Sequence, residues 1–590
     1  MSQASIIQIS GPLLRATTEG SFSLYEAVKV GELGLLGEVI RLQGNQITAQ
    51  VYEDTTGLAP GDPVRGQGLP LSADLGPGVL GGTFDGLLRP LTGFESPYVP
   101  RGEREGRRVR FRFEPAVASG EEVAGGQAFG HFDVSGAVAQ KALIPPDVSG
   151  TIRWMAEAGE YGEEAVLCIV TDARGAEHEV TPVQRWAVRV PRPLAERLPS
   201  EQPLVTGQRI LDSLFPIALG GKGAVPGGFG TGKTVLLETL AKWCSADVIV
   251  YVGCGERGNE LTGVLEEFPE LVDPRSGRPL MERTVMIANT SNMPVAAREA
   301  SIYTGVTVAE YFRDMGMHVA LMADSTSRWA EALREISGRL GELPGEGGYP
   351  AYLSSRLADF YERAARARTL DGTEGSVTLM GTVSPPAGDF SEPVTTHTKR
   401  YVRSFWALDA KRAQARMFPA INPLQSYSED ARVMASWWQE QGNADWVQQR
   451  RRVFYLLEEQ VRLERMARIL GKDALPYEQQ LRLLCANLIN ESFLVQSAFS
   501  ENDAYTSPQR QTAMLNILSR FTDLAVEAVS RGVKPDQISE LGLFRRLQRM
   551  GEEIPEEALE GFDRLEKRME DAFEELLEEA SGAQISGAQE

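Results

Sequence analysis

The sequence holds few of the residues that build covalent cross-links or structural metal sites. Its 590 residues include four cysteines and four histidines. No two cysteines form a C-x-x-C pair, and the histidines show no ligand spacing. This scarcity argues against a disulfide framework and a structural metal site, and it predicts a reducing, cytoplasmic compartment.

Long apolar segments and an excess of basic residues are also missing. No stretch approaches the roughly 18 consecutive apolar residues that span a bilayer, so we expect a chain that does not cross a membrane but can attach to a membrane protein. Residues 1–15 show no basic segment followed by an apolar core, so no signal peptide is predicted. The net charge is −21, from 81 acidic and 60 basic side chains, which argues against a nucleic-acid-binding protein.

The length predicts several domains, because one hydrophobic core does not extend over so long a chain. Residues 1–70 contain short β-rich runs separated by glycine and asparagine, a spacing that predicts an N-terminal β-barrel. These runs are Ala27–Val30, Gly37–Leu42 and Gln46–Val51. Residues 71–188 are rich in glycine and proline and contain further short strands such as Val109–Phe113. We expect a second β-rich region there, including a protruding insertion.

The second half of the chain predicts an α/β domain followed by a helical one. Residues 189–432 alternate strand and helix signals, and their short apolar runs suit buried parallel strands. These runs are Asp247–Val252, Thr284–Ala288 and His318–Ala323. In residues 433–590 glycine and proline become sparse and helical periodicity dominates, as in Phe454–Ile469. The fold class is therefore predicted as multidomain α/β.

An apolar stripe in the acidic C-terminal segment keeps a spacing of three to four residues, which predicts a helix until about Ala580. The stripe is either intramolecular core or a docking face for a partner helix. Its members are Leu559, Phe562, Leu565, Met569, Phe573 and Leu576.

One segment fits the P-loop pattern G-x-x-x-x-G-K-[ST] at every fixed position. The glycines let backbone N–H groups converge on an anion, and the helix that begins near Val235 directs its positive end at the same phosphates. Lys233 can reach the β and γ phosphates, and the Thr234 hydroxyl can ligate Mg²⁺. The segment is Gly227, Gly228, Phe229, Gly230, Thr231, Gly232, Lys233 and Thr234.

Two acidic residues follow predicted strands and complete a candidate ATPase site. Asp324 comes directly after the apolar run Val319–Ala323, where a Walker B carboxylate can hold Mg²⁺. Glu256 and Arg257 follow the strand that ends at Val252, at the edge where α/β sheets place their sites. A carboxylate there can polarise a water for attack on the γ phosphate, although a solvated salt bridge in a loop fits the spacing equally well.

Four segments together resemble the catalytic A subunit of the vacuolar/archaeal-type (V-type/A-type) rotary ATPase, in its prokaryotic form. They are Gly227–Thr234, Gly253–Glu260, Ala323–Ala330 and Pro419–Ser428, and Gly388–Pro393 is a further family-like stretch. The resemblance covers most of the chain. Residues 70–185 are similar to an extra segment that A subunits carry and the F-type β subunit lacks.

The resemblance implies a role for each matching residue. Lys233 and Thr234 would bind phosphate and Mg²⁺, Glu256 would be the catalytic carboxylate with Arg257 beside it, and Asp324 would hold the Mg²⁺ water shell. Arg328 would link the site to the neighbouring subunit. The adenine contacts implied by the family are Phe418, Gln496, Ala498 and Phe499. Thr231 stands where eukaryotic A subunits carry a cysteine, which argues against disulfide control of the P-loop.

The resemblance also implies the assembly and the activity. ATP or ADP would bind with Mg²⁺ at an interface with a non-catalytic B subunit, in an A3B3 hexamer where the neighbour supplies an arginine finger. Central and peripheral stalk subunits would connect the hexamer to a membrane sector that moves H⁺ or Na⁺. The chain would be peripheral on the cytoplasmic face of the membrane, with no nucleic-acid partner.

Three other classes share parts of this pattern. A homohexameric export ATPase of the type III secretion or flagellar kind has a similar P-loop core, but residues 70–185 and the Glu256 segment argue against it. A non-catalytic nucleotide-binding subunit is disfavoured because Lys233, Glu256 and Asp324 are all retained. The net charge of −21 disfavours an RNA-translocating helicase.

Overall fold

The computed structural model describes residues 2–92, 99–102, 109–134 and 138–587, with side chains described as far as residue 580. The predicted domains 71–188 and 433–590 extend in part beyond these residues, and the bounds of the four predicted domains stay predictions. The described chain forms two compact units. The first unit comprises Met1–Ser200, Leu219–Pro226 and Ala246–Val402, and the second comprises Glu201–Ala218, Gly227–Ser245 and Arg403–Glu590.

The N-terminal strands of the first unit are β1 (Gln3–Ser10), β2 (Leu13–Thr18), β3 (Glu26–Val30), β4 (Leu35–Gln43), β5 (Gln46–Val51) and β6 (Pro63–Pro70). They close into a barrel in the order β1-β2-β5-β4-β3-β6, in which β1 also pairs with β6. Side chains alternate between the two faces of a strand, and Val28, Val30 and Val39 are fully buried in the barrel core. The predicted barrel is confirmed.

The next part of the first unit is also built of short strands. They are β7 (Ser72–Leu75), β8 (Thr83–Phe84), β9 (Arg110–Pro115), β10 (Glu122–Val123), β11 (Ala128–Asp133), β12 (Gln140–Leu143), β13 (Gly150–Met155), β14 (Gly159–Gly162), β15 (Cys168–Thr171), β16 (Glu177–Val180) and β17 (Gln184–Ala187). Two four-stranded sheets have the orders β12-β11-β9-β14 and β10-β13-β15-β16. Phe111, Phe113 and Phe132 are buried in their shared core, which confirms the predicted β-rich region.

The rest of the first unit is organised around a mainly parallel sheet. Its further strands are β18 (Glu196–Leu198), β19 (Lys222–Pro226), β20 (Val248–Cys254), β21 (Thr284–Asn289), β22 (His318–Asp324), β23 (Ala365–Arg368) and β24 (Glu374–Val383). The parallel order is β19-β24-β22-β20-β21-β8, and β23 pairs antiparallel with β24 and β18. All residues of β20 and β21 are buried, as expected for strands covered on both faces.

The register of the sheet brings the predicted acidic positions to one edge. Gly253 in β20 pairs with Asp324 in β22, and Cys254 pairs with Asn289 in β21. Because the strands are parallel, their carboxyl ends share this edge, where α/β sheets place their sites. The three apolar runs predicted as parallel strands are therefore confirmed.

The α-helices in chain order are α1 (Lys233–Trp243), α2 (Gly258–Glu267), α3 (Val295–Asp314), α4 (Thr326–Leu340), α5 (Leu353–Tyr361), α6 (Pro393–Lys399), α7 (Ala410–Gln414), α8 (Ala435–Glu440), α9 (Trp446–Leu470), α10 (Tyr477–Ile489), α11 (Pro508–Ser530), α12 (Pro535–Glu540), α13 (Gly542–Gln548), α14 (Met550–Glu553) and α15 (Glu560–Gly587). Helices α2–α6 belong to the first unit; α1 and α7–α15 belong to the second. The second unit also holds the short strands β25 (Ser404–Phe405) and β26 (Tyr427–Ser428), which pair antiparallel.

Helix α15 carries the apolar stripe of the acidic C-terminal segment from Phe562 to Leu576, and this part is core, whereas Leu559 precedes the helix and is exposed. Phe562, Met569 and Phe573 are almost fully buried. The ring of Phe573 meets that of Phe521 in α11 edge to face at 5.7 Å. The stripe therefore packs within the second unit, and the predicted helical C-terminal domain is confirmed. Among the described residues, no helix combines the length and the apolar character needed to span a membrane.

Candidate active site

The P-loop connects β19, which ends at Pro226, to α1, which begins at Lys233. Gly232 precedes the helix with φ at 85°, a left-handed conformation that glycine adopts without strain. A Cβ at Gly227 would lie 2.6 Å from Thr231 Oγ1, so only glycine fits at the start of the loop. These glycines allow the backbone to turn tightly in front of the helix N-terminus, the geometry that binds phosphate groups.

Polar side chains of the P-loop bond to its own backbone. Lys233 Nζ donates to the carbonyl oxygens of Gly227 at 2.8 Å and Gly228 at 3.0 Å. Thr231 Oγ1 also donates to the carbonyl of Gly228, at 2.8 Å. Gly230 and Phe229 lie at the exposed tip, with the Phe229 side chain 86% exposed. The lysine ammonium is thus held at the mouth of the loop, where it can exchange carbonyl oxygens for phosphate oxygens.

The predicted adenine contacts belong to the same unit as the P-loop, and the structure brings two of them together. The ring of Phe418 lies beside Gly232, with Cε1 3.7 Å from the position a Cβ would occupy. Gln496 donates from its backbone N–H to the carbonyl of Phe418 at 2.8 Å. Ala498 and Phe499 are exposed, and the Phe499 ring is 95% exposed. A partly exposed aromatic ring beside a P-loop can stack on a base.

A buried arginine outside every predicted motif organises the segment around Gln496. Arg209 donates from Nε to the carbonyl of Phe493 at 2.9 Å and forms an ion pair with Asp503. Its backbone N–H donates to Gln496 Oε1 at 2.8 Å. Gln496 Nε2 in turn donates to the carbonyl of Gly207 at 2.8 Å. The Gln496 side chain therefore fixes the backbone of this segment.

The predicted catalytic residue Glu256 lies on a turn that directly follows β20. The backbone N–H of Gly255 donates to the carbonyl of Asn289 at 2.6 Å, and the N–H of Ser291 donates to the carbonyl of Glu256 at 2.9 Å. These two bonds fix the turn against the end of β21. Arg257 is exposed and immediately precedes α2.

The Walker B candidate Asp324 ends β22, is 3% exposed, and is held by hydroxyl groups on both carboxylate oxygens. Thr382 Oγ1 donates to Oδ1 at 2.6 Å, and the Tyr251 hydroxyl donates to Oδ2 at 3.3 Å. Thr382 and Tyr251 were missed by the sequence reasoning. Their strands neighbour β22, but only the strand order of the folded sheet shows this.

Asp324 and Arg328 both act electrostatically on Glu256. Burial, and after it the Asp324 carboxylate and a hydrogen bond with Glu260, raise the pKa of Glu256 to about 7, although the positive charge of Arg328 opposes this rise. A carboxyl group that ionises near neutral pH suits general-base chemistry. Arg328 also donates to both carboxylate oxygens of Glu331, at 3.2 and 2.9 Å.

The pair of carboxylates fits a divalent cation. Asp324 and Glu256 repel each other strongly enough to disfavour the ionised form of Glu256, and a bound cation would relieve that repulsion. Mg²⁺ binds through one or two carboxylates and keeps several waters. The Asp324 oxygens are already oriented by Thr382 and Tyr251, as expected for a ligand with supporting hydrogen bonds.

Family models match most of the chain in four consecutive parts. Residues 6–68 match the β-barrel domain of the ATP synthase alpha/beta family, and residues 106–189 match the barrel-sandwich domain of its subunits. Residues 207–428 match the nucleotide-binding domain of the same family. Residues 435–539 match the C-terminal domain of V and A type ATP synthase.

Individual relatives agree with these family models. The A subunit of the A-type ATP synthase from Methanopyrus kandleri is 51% identical, covering 98% of this chain and 99% of its own. That of Thermococcus onnurineus is 50% identical over 92% of this chain and 94% of its own. The assembled ATPase EscN of the enteropathogenic E. coli type III secretion system shares the fold, with a TM-score of 0.63 and 22% sequence identity. The match covers 87% of this chain and 99% of the EscN chain. With half of its residues identical to relatives matched over almost their full length, this chain belongs to the family of A-type ATP synthase A subunits.

Proposed function

We propose that this chain is the catalytic subunit of a rotary ATP synthase that makes or hydrolyses ATP and couples this reaction to H⁺ or Na⁺ transport. The observation that carries the proposal is the placement of Glu256 and Asp324 at the carboxyl edge of the parallel sheet, where the charge of Asp324 acts on Glu256. A subunit that only bound nucleotide would have no use for a half-buried carboxyl group that ionises near neutral pH. The 51% identity to the A subunit of an A-type ATP synthase supports the same conclusion.

The P-loop would bind the phosphates of ATP or ADP. Its backbone N–H groups, from Gly227 to Val235, supply the donors, and the N-terminus of α1 adds a partial positive charge. Lys233 would move from the carbonyls of Gly227 and Gly228 to the β and γ phosphate oxygens. This exchange costs little, because a charge-assisted bond to phosphate is stronger than one to a neutral carbonyl.

Glu256 would orient the attacking water and accept its proton. Its raised pKa makes it a stronger base than an ordinary glutamate while leaving it ionised for part of the time at neutral pH. Arg257 would stabilise the negative charge that develops on the transferred phosphoryl group, and Arg328 would help link the site to the neighbouring subunit. Arg328 is held by Glu331, so its guanidinium is oriented before substrate arrives.

Asp324 and the Thr234 hydroxyl would hold Mg²⁺, Asp324 through the metal's water shell. Bound there, the ion neutralises charge on the phosphate oxygens. Thr382 and Tyr251 keep the Asp324 carboxylate in one orientation. Phe418 would lie against the adenine ring, with Gln496, Ala498 and Phe499 nearby.

The assembly that we propose is a hexamer of three such chains and three non-catalytic B subunits. The neighbouring subunit would supply an arginine finger, a device that adds roughly 10³–10⁵ in rate, so the chain alone should bind nucleotide and hydrolyse it slowly. Central and peripheral stalk subunits would link the hexamer to an ion-translocating membrane sector. The chain would then lie on the cytoplasmic face of that membrane.

The test is to tag the chain in its native cell, solubilise the membranes gently, and identify the co-purifying proteins by mass spectrometry. We expect a second homologous subunit that lacks the glutamate equivalent to Glu256, together with stalk and membrane-ring subunits. Recovery of a homohexamer with secretion components would instead favour an export ATPase. Recovery of the chain alone from the soluble fraction would favour a free-standing nucleoside triphosphatase.

A further inference from the structure

A cavity of about 380 Å³ in the first unit is unusually rich in arginine and shares no residue with the candidate active site. It is lined by the segment 189–197, by α3, and by residues from α5 to Arg363. Carboxylates of Glu310, Asp359 and Glu362 also line it. The arginines are Arg189, Arg192, Arg197, Arg313, Arg356 and Arg363.

Three residues of the lining carry buried donors that have no acceptor among the described residues. They are Arg192 through Nη1, Arg189 through Nε, and Tyr303 through its hydroxyl. Arg192 and Tyr303 are each 3% exposed. Burial raises the pKa of Tyr303 to about 12, so the hydroxyl keeps its proton. A buried donor without an acceptor is costly, and most such groups in folded proteins are satisfied.

Most acidic residues around the cavity are already engaged by other groups, whereas Asp359 lines it as an exposed carboxylate. Glu310 accepts from Arg363 Nε at 2.9 Å and Nη2 at 2.6 Å, and from the backbone N–H of Arg192 at 2.9 Å. Asp314 accepts from Arg192 Nε at 2.6 Å and from Arg313. Glu362 pairs with Lys222. These three carboxylates therefore do not satisfy the buried donors that remain.

Arg356 adds a positive charge on which the Glu299 carboxylate acts only through space. Within the described part of the chain, Arg356 forms no hydrogen bond or ion pair, and its guanidinium lies 5.8 Å from the centre of the Tyr352 ring. It is partly exposed, which places its charge where a solute can reach it. Arg192 and Tyr303 are buried, whereas Arg356 is partly exposed. The lining therefore has hydrogen-bond donors both in its interior and near the solvent.

We propose that this cavity binds a small phosphate-bearing anion, either inorganic phosphate or a phosphate ester. A ligand that only accepts hydrogen bonds matches the buried donors of Arg189, Arg192 and Tyr303, for which the described residues offer no acceptor. Guanidinium groups recognise phosphate oxygens through paired N–H donors, and this favours phosphate over a halide. The cavity volume lies in the range of sites for small molecules, which is roughly 300–1,000 Å³.

The experiment is isothermal titration of the full-length chain with inorganic phosphate. Because the P-loop also binds phosphate, the titrations use the Lys233→Ala background. We expect this variant to retain a saturable phosphate site, and Lys233→Ala/Arg356→Gln to bind phosphate at least about tenfold more weakly, since a charged hydrogen bond is lost. Arg356→Gln should fold normally, because Arg356 is partly exposed and holds no ion pair.

The matched control is Lys233→Ala/Arg334→Gln. Arg334 also lies over a tyrosine, 4.7 Å from the centre of the Tyr349 ring, but does not line the cavity. Phosphate affinity should therefore be unchanged. Parallel titration with glycerol 3-phosphate distinguishes inorganic phosphate from a phosphate ester. Tighter binding of inorganic phosphate would identify the free ion as the occupant, and tighter binding of glycerol 3-phosphate would identify an ester.

A second variant separates binding from folding. Tyr303→Phe in the Lys233→Ala background removes one unsatisfied hydroxyl, so the chain without phosphate should be as stable as before or more stable. Phosphate affinity should nevertheless fall. The proposal is overturned if Lys233→Ala shows no saturable phosphate binding, which would indicate a water-filled cavity. Equal losses in the Arg356 and Arg334 variants would also overturn it.

Discussion

Thr382 in β24 donates a hydrogen bond of 2.6 Å from its hydroxyl to Oδ1 of Asp324, the last residue of the neighbouring strand β22. The Tyr251 hydroxyl reaches the other oxygen, Oδ2, from β20 on the opposite side. Asp324 is thus oriented by both strands that flank it in the sheet. A carboxylate fixed in this way is ready to bind a cation without reorganising, as expected for groups that support a metal ligand.

Thr382→Val should lower ATP hydrolysis by the assembled complex while leaving the fold intact. Valine has nearly the same shape as threonine but cannot donate to Asp324, so the carboxylate loses its shorter hydrogen bond. Loss of a partner that supports a metal ligand typically costs about 10–100-fold in metal affinity or activity. Steady-state hydrolysis at several Mg²⁺ concentrations measures this effect, and we expect a higher Mg²⁺ requirement.

The control for Thr382→Val is Thr378→Val in the same strand. Thr378 is buried on the same face, but its hydroxyl accepts from the backbone N–H of Gly220 at 2.8 Å and does not reach Asp324. This variant should lose stability without a change in the Mg²⁺ requirement. If both variants had the same Mg²⁺ dependence, Thr382 would have only a packing role.

Glu256→Gln should remove most ATP turnover and leave nucleotide binding largely intact. Glutamine keeps the size and much of the polarity of the side chain but cannot accept a proton, and general-base catalysis contributes typically about 10²–10⁴-fold. The variant also removes the repulsion between Glu256 and Asp324, so it introduces no strain at the site, and Mg·ADP binding should not weaken. Turnover is measured in the assembled complex and binding by calorimetry.

Glu331→Gln is the control for a change of charge near the site. Glu331 holds Arg328 and is not among the main causes of the raised pKa of Glu256. We expect a smaller loss of turnover than in Glu256→Gln, because Arg328 keeps its charge. Normal hydrolysis by the Glu256→Gln complex would show that another group activates the water.

Lys233→Ala should weaken Mg·ATP binding by roughly tenfold or more, because charge-assisted hydrogen bonds to phosphate are lost. The lysine Nζ bonds to its own loop in the structure, at Gly227 and Gly228, so its removal also loosens the loop. Calorimetric titration with Mg·ATP gives the affinity. Lys242→Ala, at the far end of α1, is the matched lysine control, and equal affinities for both variants would contradict the P-loop assignment.

Sequence reasoning predicted the elements that carry local signals. The P-loop has a fixed spacing, the buried strands β20–β22 are continuous apolar runs, and α15 has an apolar stripe at helical spacing, so each could be recognised from a short window. The acidic residues Glu256 and Asp324 could be selected because they directly follow such strands. Strand order then brings them to neighbouring positions, since Gly253 pairs with Asp324.

The supporting residues could not be predicted because their signals are not local. Thr382 lies 58 positions from Asp324, and an ordinary threonine in an apolar strand gives no indication of its partner. Arg209 joins residues almost 300 positions apart, such as Asp503, and was hidden in a segment without a motif. The choice between core and docking face for the α15 stripe likewise depended on α11, whose Phe521 covers it. In each of these three cases, contacts between segments that lie far apart in the sequence determine the role of the residue.

Asp212→Asn should destabilise the second unit, because each carboxylate oxygen of Asp212 accepts two hydrogen bonds. Oδ1 accepts from the backbone N–H and the hydroxyl of Thr206, at 2.9 and 2.6 Å. Oδ2 accepts from the backbone N–H of Gly207 at 2.9 Å and from Gln511 Nε2 at 3.0 Å. An asparagine amide must place its own donor against two of these donors, and burial excludes water as a substitute. Unsatisfied buried donors cost about 1–3 kcal/mol each.

We therefore expect the free energy of unfolding to fall by about 2–4 kcal/mol, measured by urea denaturation followed by circular dichroism. The exposed Asp473 gives the matched control, since Asp473→Asn makes the same chemical change without burial. Because Gly207 also accepts from Gln496, the change at Asp212 should loosen the segment beside Phe418 and raise the KM for ATP. A loss of stability without any change in the KM for ATP would show that the hydrogen bonds of Asp212 do not influence nucleotide binding. Equal stability of the Asp212 and Asp473 variants would contradict the proposed role of the four hydrogen bonds.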